Sequence, residues 1–209
     1  MTRGRFITFE GGEGAGKSTQ VRLLAAALAG QGRDVLATRE PGGATGAEEI
    51  RKLLVSGDPG RWDGVTEALL HFAARRDHLA RTVWPALDAG RWVVSDRFAD
   101  STMAYQGYGH GLGREPIERL YEVAVGGFAP DLTLILDIPP EAGVTRAHAR
   151  HDGEDRYERM DLSFHRRLRD GFLEIAGREP QRCVVIDASG SVDEVHATIL
   201  KAVADRLLA

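Results

Sequence analysis

A chain of 209 residues, 43% hydrophobic and 28% charged, is long enough to bury a core of its own without disulfides or structural metal. Its formal charge of -4 sets up no global positive field that would gather nucleic acid or an anionic membrane, so any phosphate-binding surface must be a local cluster of basic residues. Cys183 is the single cysteine, which excludes an intrachain disulfide and a cysteine-rich zinc site. Within the apolar run Cys183-Val-Val-Ile186 it reads as a buried, unreactive thiol. No apolar stretch approaches the ~20 residues of a membrane span, and the N-terminus carries no signal-peptide pattern. A cytoplasmic protein, with no nucleic-acid or membrane partner, is expected.

Short β-branched runs alternate with longer segments of helical period, which predicts an α/β fold with a parallel sheet. The first strand is expected at 6–9, ending in a glycine-rich turn. A helix carrying Val21, Leu23, Leu24 and Leu28 follows and stops at Gly30 and Gly32. Further strands are expected at 34–38, 92–95, 132–137 and 183–187. Between them, helices are predicted at 47–54 and from about 65 toward 87, where Pro85 kinks or ends the second. Glu115-Pro116 resembles a helix start, and Pro139-Pro140 opens another helix that fades near Arg150. The stretch 151–159 is almost wholly charged and polar and reads as an exposed, mobile loop. A helix at about 162–176 and one capped by Ser191-x-x-Glu194 close the chain. One domain over 1–209, with a lid at about 146–159, is the economical organisation.

Gly11-Gly-Glu-Gly-Ala-Gly16-Lys17-Ser18 fits the phosphate-binding pattern G-x-x-x-x-G-K-[ST], between a strand and a helix as that pattern requires. Glycines bring backbone N–H groups against phosphate oxygens, and the helix N-terminus faces the same anion. Lys17 is placed to reach the β- and γ-phosphates of ATP, and Ser18 to ligate Mg²⁺; Thr19 adds an α-phosphate contact. Arginine greatly outnumbers lysine in this chain, so a lysine in that slot is informative: a slim ammonium fits where a planar guanidinium would not.

Such a loop serves several reaction classes. The chain contains no asparagine, so it cannot supply the Asn-Lys-x-Asp segment that reads guanine. Asp187-Ala-Ser-Gly190 imitates a GTPase switch tetrad but follows the last strand. The strand ending Ser95-Asp96-Arg97 suits a phosphotransferase instead, with Asp96 at the Mg²⁺ hydration shell and Arg97 on a second phosphate. Arg39, Arg51, Arg146, Arg150 and Arg156 are further cations for two polyanions.

With these residues in place, the chain resembles thymidylate kinase over essentially its whole length, in the bacterial subtype whose lid carries arginines. The matching segments are Phe9-Glu-Gly-Gly-Glu-Gly-Ala-Gly-Lys-Ser-Thr19, Thr38-Arg-Glu-Pro-Gly-Gly43, Glu48-Glu-Ile-Arg51, Phe72-Ala-Ala-Arg-Arg-Asp-His78, Asp96-Arg-Phe-Ala-Asp-Ser-Thr102, Tyr105-Gln-Gly-Tyr108 and Pro130-Asp-Leu-Thr133. The resemblance implies transfer of the ATP γ-phosphate to dTMP with Mg²⁺, a homodimer, and a five-stranded parallel P-loop sandwich with a small lid. It implies ATP contacts from Gly11, Gly12, Glu13, Gly14, Ala15, Gly16, Lys17, Ser18, Thr19 and Arg146. Glu13 would also meet the dTMP 3′-hydroxyl, while Arg39, Arg51 and Arg97 hold the dTMP phosphate. Arg75, Thr102 and Gln106 would read the base edge, and Tyr105 would pack on the sugar. The family's base-stacking phenylalanine falls at His71, with Phe72 next, so either ring could take the stack. Arg150 or Arg156 would stabilise charge on the transferring phosphoryl group. A broader deoxynucleoside monophosphate kinase, or a regulatory nucleotide-binding ATPase with a vestigial acceptor site, are the alternatives.

Overall fold

The computed structural model describes residues 3–58, 60–148 and 156–208. Its strands are β1 (Phe6–Glu10), β2 (Val35–Arg39), β3 (Trp92–Asp96), β4 (Leu132–Asp137) and β5 (Cys183–Asp187), all parallel in the order β2-β3-β1-β4-β5. The helices are α1 (Lys17–Gly30), α2 (Thr45–Val55), α3 (Gly64–His78), α4 (Trp84–Asp88), α5 (Ala99–Thr102), α6 (Arg114–Ala124), α7 (Pro140–His148), α8 (Leu162–Arg178) and α9 (Val192–Val203). After β2 and β3 build one side of the sheet, β4 and β5 build the other. The β1–α1 turn therefore lies at the point where strand order reverses, where open α/β sheets hold their ligands.

Strand alternation divides the core in two. Leu132, Leu134 and Leu136 of β4 join Ile7, Phe9, Leu24, Leu28 and Ile199 on one face, under α1 and α9. Ile135 turns to the other face with Phe6, Phe72, Val93, Phe164 and Phe172, under α3 and α8. Each fully buried large aliphatic or aromatic side chain contributes roughly 1.5–3 kcal/mol. In α1 the buried Val21, Leu24 and Leu28 lie on one stripe at helical spacing, and Gly32 at φ +79° turns the chain out. Cys183 is buried in the first strand position of β5, and burial pushes its thiol up to about 12.

Register brings the polar strand ends into one row. Phe9 and Arg39 both pair with Asp96, and Asp137 pairs with Asp187. Apolar residues thus fill the strands while charged ones end them, so the chemistry sits along the carboxyl edge.

Three elements differ from the sequence reading. Pro85 does not break the third helix: a π-helical turn at Leu79–Val83 joins α3 to α4, and Trp84 N donates to Leu79 O. Proline then falls in the first turn of α4, where its missing N–H is least costly. The chain after β3 forms α5 and a π-helical segment, Met103–Gly109, where no element was expected; its residues are buried nearly throughout, so no one-sided apolar stripe marks it. Within 151–159, Arg156 and Glu158 are 1% and 7% exposed rather than solvated; Arg156 docks against α2 through Leu54 O and against α3 through Glu67. The capping box at Ser191 and Glu194 is formed.

Candidate active site

The turn from β1 to α1 carries Gly11, Gly14 and Gly16 at φ +130°, +67° and +90°, a region closed to most side chains. A Cβ at Gly14 would stand 2.0 Å from the Gly143 carbonyl of α7, and one at Gly143 would stand 2.5 Å from Glu13 O. The loop and α7 therefore touch backbone to backbone. Gly14→Ala is expected to cost about 1–3 kcal/mol and to raise KM for ATP, checked by thermal unfolding beside steady-state kinetics.

Lys17 opens α1 and is 7% exposed. Its Nζ donates to the carbonyls of Gly11 (3.1 Å) and Gly12 (2.7 Å). Burial, with help from the Arg97 charge, pushes this ammonium down to about 8, against the pull of Glu13, Asp96 and Glu10. Ser18 Oγ donates to Asp96 Oδ2 at 2.5 Å, joining the start of α1 to the end of β3.

Arg97 follows directly and holds φ +71°, the only positive value at a non-glycine among the described residues. Such backbone strain persists where surrounding contacts over-determine it. Ser95 Oγ donates to Arg97 O (2.8 Å) and Phe98 N donates to Glu10 Oε1 (2.8 Å), which pins the peptide after Arg97, while Arg97 N donates to Phe9 O (2.9 Å) and pins the one before it. The guanidinium donates to Gly11 O (3.1 Å), Ser101 Oγ (3.0 Å), Glu13 Oε1 (3.1 Å) and Tyr105 OH (2.9 Å). Burial opposes its charge, but the oxygens of Tyr105, Glu13 and Asp96 outweigh that and hold it above the ordinary arginine range. Tyr105 OH in turn donates to Glu13 Oε1 at 2.5 Å. Beneath them Glu10 is fully buried; burial and the Asp100 charge push its carboxyl up to about 8, although Ser101 Oγ donates to it at 2.5 Å.

A cleft of about 310 Å³ opens over these groups. Its lining brings together Gly14, Lys17, Ser18 and Asp96, the arginines Arg39, Arg51 and Arg97, and His71, Tyr105 and Gln106. Arg39 is aimed by an ion pair to Glu48 (3.1 Å), and Arg51 by donation to Pro41 O (2.7 Å). The donor loop and the expected acceptor arginines thus share one cavity.

Other expected residues lie elsewhere. Arg75 is 2% exposed beneath the cleft, bonded to Glu40 (2.7 Å), Thr102 Oγ1 (3.1 Å) and Phe98 O (2.9 Å). Its guanidinium lies over the rings of Phe72 and Phe98, at 4.9 and 5.2 Å. Phe72 and Thr102 are therefore packing partners of Arg75, and of the two rings in question His71 lines the cleft. Burial and the Arg75 charge push the His71 imidazole down to about 3, so it is neutral. Arg146 reaches the carbonyls of Ala188 (3.2 Å) and Ser189 (3.4 Å) after β5. Ala15 is buried against the core, and Thr19 is half-buried in the first turn of α1. Arg156 does not line the cleft: it donates to Asp58 O (3.0 Å) and Leu54 O (3.3 Å) and pairs with Glu67. Arg150 lies outside the described residues.

The family model for thymidylate kinase matches residues 9–199. A thymidylate kinase of Caulobacter vibrioides is 58% identical over 207 residues, covering 99% of each chain. One from Rhizorhabdus wittichii is 54% identical, covering 98% of this chain and 99% of its own. The crystal structure of thymidylate kinase from Ehrlichia chaffeensis superposes with a TM-score of 0.80 at 35% identity, over 96% of this chain and 99% of that one. The chain belongs to the thymidylate kinase family.

Within this thymidylate kinase framework, sequence reasoning passed over Glu10, Glu40, Glu67, Ser101, Tyr157 and Glu158. Glu10 and Glu40 carried a local signal, as charged residues directly after apolar or β-branched runs. Glu40 holds Arg75 on one oxygen and His78 Nδ1 (2.9 Å) on the other. Glu67 and Tyr157 carried none, because they meet across 90 residues of chain.

Proposed function

We propose that this chain transfers the γ-phosphoryl group of ATP to dTMP, giving ADP and dTDP, in the cytoplasm. The observation that carries the reading is the shared cleft, whose lining includes Lys17 and the glycine loop together with Arg39, Arg51 and Arg97. Two polyanions must be brought tip to tip for this reaction, and catalysis is then mainly positioning and charge stabilisation.

In this reading Gly11 to Thr19 cradle the ATP phosphates, with Lys17 leaving its loop carbonyls to neutralise the transferring group. Arg39, Arg51 and Arg97 hold the dTMP phosphate in line. Glu13, already bonded to Tyr105 and Arg97, orients the sugar hydroxyl, and Tyr105 packs on the deoxyribose. His71, a neutral ring on the cleft wall, takes the face of the base, while Gln106 meets its edge and Arg75 braces the floor through Glu40. The residues also fit Mg²⁺: the Ser18 hydroxyl and the Asp96 carboxylate are hard oxygen donors 2.5 Å apart, beside the phosphate loop. Mg²⁺ accepts few protein oxygens and completes its shell with water and phosphate, and there it would neutralise charge on the β- and γ-phosphates.

A coupled ADP-release assay across nucleoside monophosphates tests the function. dTMP is expected to stimulate release well above dCMP or ribonucleotides; no stimulation by any monophosphate would contradict it. A homodimer is part of the same reading. Val65 and Leu69, one turn apart on α3, are 50% and 51% exposed, with Leu53 of the adjoining α2 at 38%. Light scattering is expected to give twice the chain mass, and Leu69→Glu to halve it.

A further inference from the structure

Gln106 is 0% exposed and lines the cleft, yet its Oε1 is buried without a hydrogen-bond partner among the described residues. Buried acceptors are seldom left so, and one at a cleft wall marks where a ligand must donate. The other end of this amide is fixed: Nε2 donates to Glu67 Oε2 at 3.0 Å. Glu67 opens α3, is itself 0% exposed, and does not line the cleft. It pairs with Arg156 and accepts from Tyr157 OH at 3.2 Å. Against the cost of burial, His110, whose Nε2 stands 3.2 Å from Oε2, and Arg156 hold its carboxyl down at about 2. An ionised carboxylate only accepts, so the amide can turn only its NH₂ toward Glu67. Oε1 is left as the end available to the cleft.

We propose that Glu67 is a positioning residue for base recognition: by holding Gln106 with Nε2 inward, it presents Oε1 as an acceptor and selects bases with a ring N–H over bases with a ring lone pair. This rests on the dTMP reading. Thymine carries an N–H at ring position 3, flanked by carbonyls, whereas cytosine carries a lone pair there that would face Oε1 and be repelled. A site whose polar groups are already aimed rejects the wrong partner strongly, because mispairing leaves a buried group unsatisfied. The same contacts give Arg156 and Tyr157 a task away from phosphoryl transfer. They keep Glu67 in place, and Tyr157 OH also meets His71 Nε2 at 3.1 Å. Since Tyr157 spends its one proton on Glu67, His71 must donate from Nε2, which fixes the tautomer of the ring on the same wall.

The test is the ratio of kcat/KM for dTMP to that for dCMP in wild type and Glu67→Gln. An amide at 67 can accept or donate, so Gln106 is free to turn over, and the ratio is expected to fall about tenfold or more, chiefly through KM for dTMP. If both values drop in proportion and the ratio holds, Glu67 is merely structural and the proposal fails. A wild type that never turns over dTMP would contradict the kinase reading instead. Should the variant not fold, wild-type enzyme with isotope-labelled glutamine gives a second readout by NMR. dTMP is expected to shift the Gln106 side-chain carbonyl and leave its Nε2 protons in place, while N3-methyl-dTMP leaves the carbonyl unmoved. Movement of the Nε2 protons without the carbonyl on binding dTMP would overturn the assignment.

Discussion

Lys17→Met is expected to lower kcat by about 10³-fold, the upper range for removing one preorganised charge-stabilising group, without loosening the fold. The ammonium lies on the Gly11 and Gly12 carbonyls, where γ-phosphate oxygens would draw it off. Its burial has a second consequence. With a pKa of about 8 against an ordinary 10.5, the folded state releases this proton before the unfolded state does. Stability therefore gains from this group as pH rises from about 8 toward 10.5. Near neutrality the folded protein bears the full cost of burying the charge, roughly 3 kcal/mol from a shift of this size. The methionine variant, which keeps most of the stem's volume, is accordingly expected to unfold at a temperature no lower than wild type at pH 7, and calorimetry from pH 7 to 10 checks the sign. A variant that lost both activity and stability would point to a structural lysine.

Arg97→Lys is expected to reduce kcat/KM for dTMP by about 10²–10³-fold, as when a preorganised donor is lost. KM for ATP is expected to change little. The guanidinium reaches Gly11 O, Ser101 Oγ, Glu13 Oε1 and Tyr105 OH at once. An ammonium is a point charge that cannot span that fork, so the lysine variant keeps the charge and loses the geometry. Its removal also takes away the donor that Glu13 and Tyr105 share, which mispositions the sugar as well as the phosphate. Steady-state kinetics with both substrates varied separates the two sites. An unchanged KM for dTMP, with kcat alone reduced, would move Arg97 from holding the acceptor to the transfer step only.

What the sequence made legible was local. The glycines, Lys17 and Ser18 announce a phosphate loop because one short turn must meet several conformational demands at once, and the positive φ values at 11, 14 and 16 are those demands. The central strands β1, β3 and β4 showed as apolar runs because they are buried on both faces, while the edge strands β2 and β5 are only partly buried. Arg39, Arg51 and Arg97 could be named, and they do meet in one cleft. What stayed hidden depends on contacts between distant segments. The stretch from Ala99 to Gly109 is polar enough to pass for a loop, yet Asp100 is held by Arg182, 82 residues away (2.7 Å), and Gln106 by Glu67. Arg156 looked like a solvated lid charge until Glu67, 89 residues earlier, supplied a buried partner. Charge composition predicts exposure only where no such partner exists, and pairing at that range leaves no periodic trace.

ATP and dTMP are expected to occupy this one cleft together, their phosphates meeting between Lys17 and Arg97. A compound joining adenosine to thymidine through a chain of five phosphates tests it most directly. Isothermal titration is expected to find it binding about 10²-fold or more tighter than dTMP alone, since linking converts the second contact into an intramolecular one. It is also expected to compete with both substrates, and Arg97→Lys to weaken it. Competition with ATP only, at an affinity no better than ATP itself, would contradict the account.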